Sequence, residues 1–206
     1  MQKWKIKILE KIKKQIEDGK KLNYIHIPKT AGTFVRWVIA ENFPEIGYIQ
    51  HKQAPTNDNN VYFTTIREPT ERLESLFNMV FWYNDKVDPT KLKIHIPKHL
   101  HYVFEKKNVS LNNLISLMTD AELTTSLGNF QTLKHYSKNV DLLITIDEFL
   151  PTLQFLGFDL KKQYPKNNVS EKTRGTFSKH TKERIEKLYK DDVKLWKLWT
   201  RKDQPL

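Results

Sequence analysis

A lysine followed at once by four small residues is the part of this chain whose residue types best suit chemistry. The run is Lys29-Thr30-Ala31-Gly32-Thr33, preceded by Tyr24-Ile25-His26-Ile27-Pro28 and followed by helix-patterned residues 34–41. The apolar run before it reads as a buried strand. Pro28 ends that strand, because proline has no backbone donor and pushes the residue before it toward extended geometry. The small residues let several backbone N–H groups converge on one anion where the next helix presents its positive end. Lys29 adds a full charge, so the chemistry expected here is the holding of a phosphate-like group. The order departs from the Walker pattern, in which a longer glycine-rich stretch precedes Gly-Lys-Ser/Thr.

A second constellation has the same character. Val61-Tyr62-Phe63-Thr64-Thr65-Ile66 is rich in β-branched and aromatic residues and runs into Arg67-Glu68-Pro69, so it reads as another buried strand with a helix opening at Pro69. Leu73, Leu76, Phe77, Val80 and Phe81 recur at spacings of three and four, one apolar helix face that leaves Arg72 and Ser75 off the stripe. An arginine at a strand end and a serine hydroxyl on the next helix can clamp a phosphate, the first as a forked charged donor and the second as a neutral one.

Both runs resemble sulfotransferases that use 3′-phosphoadenosine 5′-phosphosulfate (PAPS). Residues 26–33 are similar to the 5′-phosphosulfate loop, especially of the carbohydrate (heparan sulfate 2-O-sulfotransferase-like) branch, worded His-hydrophobic-Pro-Lys-Thr-Ala/Gly-Gly-Thr. Residues 67–75 match the 3′-phosphate site of that family, Arg-Asp/Glu-Pro-x-x-Arg-Leu-x-Ser, with Glu68 at the acidic position. The resemblance covers most of residues 22–198, strongly at these two runs and loosely elsewhere. It implies an α/β fold with a central parallel sheet flanked by helices, the P-loop NTPase-like sulfotransferase fold. It also implies transfer of a sulfuryl group from PAPS to a hydroxyl of a carbohydrate-type acceptor, with no metal required. On this resemblance Lys29, Thr30, Ala31, Gly32 and Thr33 bind the 5′-phosphosulfate, and Arg67 and Ser75 the 3′-phosphate. Residues 167–175 hold the position of the family's loop over the nucleotide, where Lys172 and Arg174 add donors and Gly175 a tight turn, or else form a solvated basic loop. Asn129-Phe130-Gln131-Thr132 resembles the Asn-x-Gln-Thr run of carbohydrate sulfotransferases and is given no catalytic part.

Sulfuryl transfer moves a group in line between two oxygens, as phosphoryl transfer does, so the protein mainly positions reactants and stabilises shifting charge. Lys29 is expected to stabilise the departing phosphate oxygen, with Thr30, Gly32 and Thr33 as backbone and hydroxyl donors. The acceptor hydroxyl needs a base. The candidate is His51, after Tyr48-Ile49-Gln50 and between the two anion runs, where the resembled enzymes place theirs; Glu41 is the alternative. His26 lies inside its strand and reads as a packed histidine or one that supports a site residue rather than meeting the ligand. Asp147 and Glu148 read as helix-start acids. His95, His99 and His101 have no clear carboxylate companion and read as polar histidines, with no metal site.

These residues must be positioned by the elements around them. Trp4, Ile8, Ile12 and Ile16 predict an amphipathic helix over residues 4–18, its other faces carrying Lys3, Lys5, Lys7, Lys11, Lys13 and Lys14. Residues 84–107 are polar, broken by Pro89 and Pro97, and read as a surface excursion on the acceptor side. Residues 111–117 and 129–135 read as helical, 140–146 as a strand, and 147–156 as a helix. Ser178 or Thr181 caps a last helix whose one side is traced by Ile185, Leu188, Tyr189, Asp192, Trp196 and Trp199.

The whole chain narrows the classes. Its 206 residues, 38% of them hydrophobic, suit one domain spanning 1–206, with residues 1–21 as an N-terminal basic helix. A net charge of +11 favours polyanionic or multiply charged partners without choosing among them. Without cysteine the fold cannot rest on disulfides or thiolate metal sites. No membrane span or signal core is evident, which suits a soluble protein. Eukaryotic Golgi members of the resembled family usually carry an N-terminal anchor and luminal cysteines, so the resemblance implies a cytoplasmic protein of bacterial or viral type, with peripheral membrane contact by the basic helix as a secondary reading. Two other functions compete. A nucleotide kinase or NTPase of similar fold needs magnesium and a differently ordered loop. A non-catalytic basic nucleic-acid-binding domain would use its lysines and aromatics, although nucleic acid is not the partner expected.

Overall fold

The computed structural model describes residues 2–56, 59–86, 98–100, 102, 109–125, 132–160 and 175–201. Along the chain they form α1 (Lys3–Glu17), β1 (Lys21–His26), α2 (Gly32–Asn42), β2 (Gly47–Gln50), β3 (Asn60–Ile66), α3 (Pro69–Lys86), a 3₁₀ turn (Lys98–Leu100), α4 (Leu111–Leu117), α5 (Asp120–Thr125), α6 (Leu133–Tyr136), β4 (Leu142–Thr145), α7 (Ile146–Phe155), α8 (Lys179–Leu188) and α9 (Lys190–Thr200). They divide into two compact units, one of Met1–Arg67, Leu133–Asn168 and Lys194–Leu206, the other of Glu68–Thr132 and Val169–Val193. Among the described residues no helix is long and apolar enough to cross a membrane.

The first unit is α/β. Its four strands are parallel and lie in the order β2-β1-β3-β4. Tyr24 pairs with Tyr48 on one side and Phe63 on the other, and Phe63 pairs with Leu142. The chain steps from β1 outward to β2, then returns to the opposite flank of β1 for β3. The order therefore reverses between β1 and β3, and the crevice outside the carboxyl ends of such strands is where ligands bind in open α/β sheets. β3 is buried along nearly its whole length, which is why its sequence is a continuous apolar and threonine run with no polar alternation.

Side chains alternate between the two faces as strand geometry requires. Val61, Phe63, Leu142 and Ile144 pack with Leu9 of α1, Val35 of α2 and Phe149 of α7. Leu143 faces the other way, onto Ile27, Leu133, Tyr136 and Trp196. Helices thus cover both faces, as a parallel sheet demands.

α1 forms where the period predicts, but its stripe is turned by one residue. Its buried residues are Lys5, Leu9 and Ile12, whereas Trp4 is half-buried and meets Trp199 edge-on at 5.1 Å. Lys5, expected on a solvated face, is fully buried with its Nζ 2.7 Å from Glu148 Oε2. Glu148 also closes the capping box of α7, accepting from the Thr145 N–H at 2.8 Å. One carboxylate at a helix start therefore satisfies both a buried ammonium and an orphan backbone donor.

The second unit is helical among its described residues. The stripe read on α3 is its core side: Leu73, Leu76, Phe77, Val80 and Phe81 are all buried, with Leu114, Ile185 and Tyr189. Ser178 caps α8 by accepting from the Thr181 N–H at 3.2 Å. The single last helix expected from the sequence is two. Tyr189 leaves helical geometry (φ −101°, ψ 31°), and its hydroxyl donates to the Leu123 carbonyl at 2.7 Å.

Arg72, read as lying off the apolar stripe, is 1% exposed and stands 3.9 Å from the equally buried Asp192. Its charge is held inside the unit. His99 does have a carboxylate companion, since its Nδ1 lies 3.5 Å from Glu122 Oε1. Most of the excursion read at residues 84–107 lies outside the described residues, as do residues 129–131 of the expected helix.

Candidate functional site

The loop between β1 and α2 takes a shape its residue types do not announce. Lys29 (φ 68°) and Ala31 (φ 69°) are both left-handed, a conformation that costs a side-chain-bearing residue about 1–2 kcal/mol. Left-handed residues within such a loop turn successive N–H groups toward one side, the geometry of an anion nest. Ala31 is the N-cap of α2 and makes no side-chain cap bond, so the first-turn N–H groups of that helix have no intrahelical partner.

Thr30 holds the loop from inside. It is 2% exposed and its hydroxyl donates to the Ile27 carbonyl at 2.9 Å, while its N–H lies 3.4 Å from the same oxygen. A buried hydroxyl must be satisfied locally, and this one is. Thr33, by contrast, is exposed. β3 supports the loop from the side. Thr65 donates its hydroxyl to the Thr30 carbonyl at 2.8 Å and lies 2.6 Å from the Tyr24 hydroxyl, and Thr64 donates to the Ile25 carbonyl at 2.6 Å. Since Thr65 gives its one proton to Thr30, Tyr24 is the donor in their pair, and burial pushes the Tyr24 phenol well above its ordinary range.

Arg67 leaves the carboxyl end of β3, beside this loop. Burial first, and the Arg67 guanidinium second, lower the Lys29 ammonium to about 8. Two cations thus meet at the carboxyl ends of adjacent parallel strands, an arrangement that a bound anion relieves.

A third group stands at the end of β2. Among the described residues four non-glycine residues have positive φ, and His51 (φ 54°) is one of them, beside Lys29 and Ala31. Its N–H donates to the His26 carbonyl at 3.1 Å, and the two imidazole rings lie 4.8 Å apart. The Tyr48 hydroxyl meets His26 Nδ1 at 2.5 Å, and the Arg36 guanidinium lies 5.9 Å from the Tyr48 ring centre. Burial, then His51, Arg36 and Lys29, lower His26 to about 4, and burial lowers His51. Both imidazoles are therefore neutral near pH 7. Glu41 is exposed in the last turn of α2, about 13 Å along the helix axis from Gly32 at 1.5 Å per residue.

No family model, curated protein or solved structure matches this chain.

Ser75 is half-buried on α3 in the second unit. Lys172 and Arg174 lie outside the described residues, while Gly175 next to them has φ 85°, a turn conformation suited to glycine. His95 and His101 also lie outside them. Among the described residues no group of three or more His, Asp or Glu side chains is placed to hold a metal ion.

The sequence left His26 between a packed and a supporting part. The parallel pairing of β1 with β2 sets His26 opposite Gln50 and brings the following residue, His51, alongside. The cluster can hold an anion at Lys29 and Arg67, and a neutral imidazole at His51 can accept a proton.

Proposed function

We propose that this chain is a sulfotransferase of the P-loop NTPase-like sulfotransferase fold, moving a sulfuryl group from PAPS to a hydroxyl of a carbohydrate-type acceptor. The observation that carries this reading is the meeting of Lys29 and Arg67 at the carboxyl ends of β1 and β3, where the strand order reverses. It is supported by the left-handed Lys29 and Ala31, whose backbone suits an anion nest, and by the wording of residues 26–33 and 67–75.

In this reading the 5′-phosphosulfate occupies the loop of Lys29, Ala31, Gly32 and Thr33, and Arg67 takes the 3′-phosphate. The resemblance assigns Ser75, Lys172 and Arg174 to the same nucleotide from sequence alone. As the sulfur–oxygen bond to the phosphate breaks, Lys29 stabilises the charge on the departing oxygen. As the bond to the acceptor oxygen forms, the hydroxyl proton passes to neutral His51, which the end of β2 holds near the loop while Glu41 stands at the far end of α2. Removing Lys29 costs about 2–4 kcal/mol of transition-state stabilisation, the value of comparable preorganised donors.

The test is calorimetric titration of the full chain with 3′-phosphoadenosine 5′-phosphate (PAP), beside AMP and magnesium ATP. Preference for the bisphosphate, lost in Arg67→Ala, is the expected result. Equal affinity for AMP and PAP, or magnesium-dependent ATP turnover, overturns the assignment.

A further inference from the structure

We propose that His26 is a positioning residue that spaces the imidazole of His51 from the Lys29 loop. This rests on the sulfotransferase reading above, in which that loop holds the sulfuryl donor and His51 takes the acceptor's proton.

Three contacts make His26 a spacer. Its ring lies against the loop: a Cβ built on Gly32 would stand 1.8 Å from both Nε2 and Cδ2 of His26, so the ring occupies the place a side chain there would need. The His51 ring also lies 4.8 Å from it, and the His26 carbonyl accepts the His51 N–H at 3.1 Å. That bond holds His51 in the left-handed conformation, turning its side chain where an extended continuation of β2 would not. At the far edge, the Tyr48 hydroxyl fixes the ring's rotation through Nδ1 at 2.5 Å.

The chemistry of the pair fits. Burial raises the Tyr48 phenol, so it keeps its proton, and a phenol facing a neutral imidazole nitrogen donates to it. Nδ1 is then the acceptor and Nε2 carries the hydrogen. A simple core position would be filled as well by leucine. A neutral, hydrogen-bonded ring does something further here, since it stands beside His51 without repelling the proton that His51 takes up when the acceptor oxygen bonds to sulfur.

The test uses the full chain and PAPS hydrolysis to PAP and sulfate, with water in place of the acceptor hydroxyl, together with PAP affinity by calorimetry. His26→Ala is expected to lower the saturated rate roughly tenfold to a hundredfold, the scale of an ångström-sized misplacement, with PAP affinity changed by less than about threefold. In a His51→Ala background the same change adds less than about twofold, because a spacer has nothing left to position. Tyr48→Phe keeps the ring packing and gives a smaller fall that also vanishes without His51, and it decides the matter should His26→Ala not fold. A loss of equal factor with and without His51, or one accounted for by weaker PAP binding, overturns the proposal. Failure of the wild type to bind PAP overturns the sulfotransferase reading itself and this inference with it. PAP binding with hydrolysis unaffected by His26 overturns the inference alone.

Discussion

Thr65 of β3 donates its hydroxyl to the carbonyl of Thr30 at 2.8 Å, so the strand that carries Arg67 also holds the loop that carries Lys29. Neither cation is placed by its own segment alone. The loop sits where it does because a threonine from the neighbouring parallel strand, itself bonded to Tyr24, reaches its backbone.

Thr65→Val therefore tests the coupling at nearly constant volume. It leaves the Thr30 carbonyl and the Tyr24 hydroxyl without their buried partner, for a stability loss of about 1–3 kcal/mol. PAP affinity is expected to fall as well. Urea titration and calorimetry measure the two effects, and unchanged affinity in a destabilised variant would show that the loop keeps its shape without β3.

Lys29 gives the site a pH signature. With its ammonium lowered from 10.5 to about 8, the unfolded chain holds a proton between about pH 8 and 10.5 that the folded chain has released, so this residue's contribution to stability rises with pH across that window. Below pH 8 both states are protonated and the fold carries the cost of burying the charge. Lys29→Met is thus expected to be more stable than wild type at pH 7, on the order of 1–3 kcal/mol, with the gap closing toward pH 10.5. PAP affinity runs the other way, declining above about pH 8 as the free protein loses this charge. Identical urea midpoints for the two proteins at pH 7 would argue against a desolvated ammonium.

The Lys5–Glu148 pair ties α1 to the start of α7. Lys5 has no exposure, whereas the Glu148 side chain is 22% exposed. Removing the two partners is therefore asymmetric. Glu148→Gln strands a buried ammonium and weakens the Thr145 cap, a loss of about 2–4 kcal/mol. Lys5→Met leaves a carboxylate that still reaches water and is expected to cost less. Thermal unfolding of the two variants gives the order, and a reversed order would count against the burial of Lys5.

Arg72 and Asp192 define a test of a different kind. Both are 2% exposed at their side chains and 3.9 Å apart, so Asp192→Asn removes a buried charge that faces a buried guanidinium and should destabilise by roughly 3 kcal/mol. PAP affinity of the folded variant is expected to remain within about twofold of wild type. A large loss of affinity at full stability would show that Arg72 contributes to ligand binding.

Much of the frame was legible because it follows from local rules. Pro28 and the β-branched run ending at Ile66 marked the ends of β1 and β3, the spacing of Leu73 to Phe81 marked the buried side of α3, and Ser178 marked the start of α8. Lys29 and Arg67 stood out because charge at a strand's carboxyl end is visible in one dimension. Other features depended on partners distant in the chain. Lys5 looked like one more solvated lysine until Glu148 was beside it. Arg72 stood off the apolar stripe in the sequence, and only the fold sets it beside Asp192; likewise only the fold turns the Thr30 hydroxyl to the Ile27 carbonyl.

By itself, then, the sequence determined the elements of the α/β sheet and the residue types at its carboxyl edge, since periodicity, proline and side-chain branching act within a few residues. Only the tertiary structure decided which strands adjoin, that Lys29, Ala31 and His51 adopt left-handed backbone, and that His26 touches both Gly32 and the His51 ring. Those outcomes come from burial and long-range hydrogen bonds, whose free energies exceed the local conformational preferences they override.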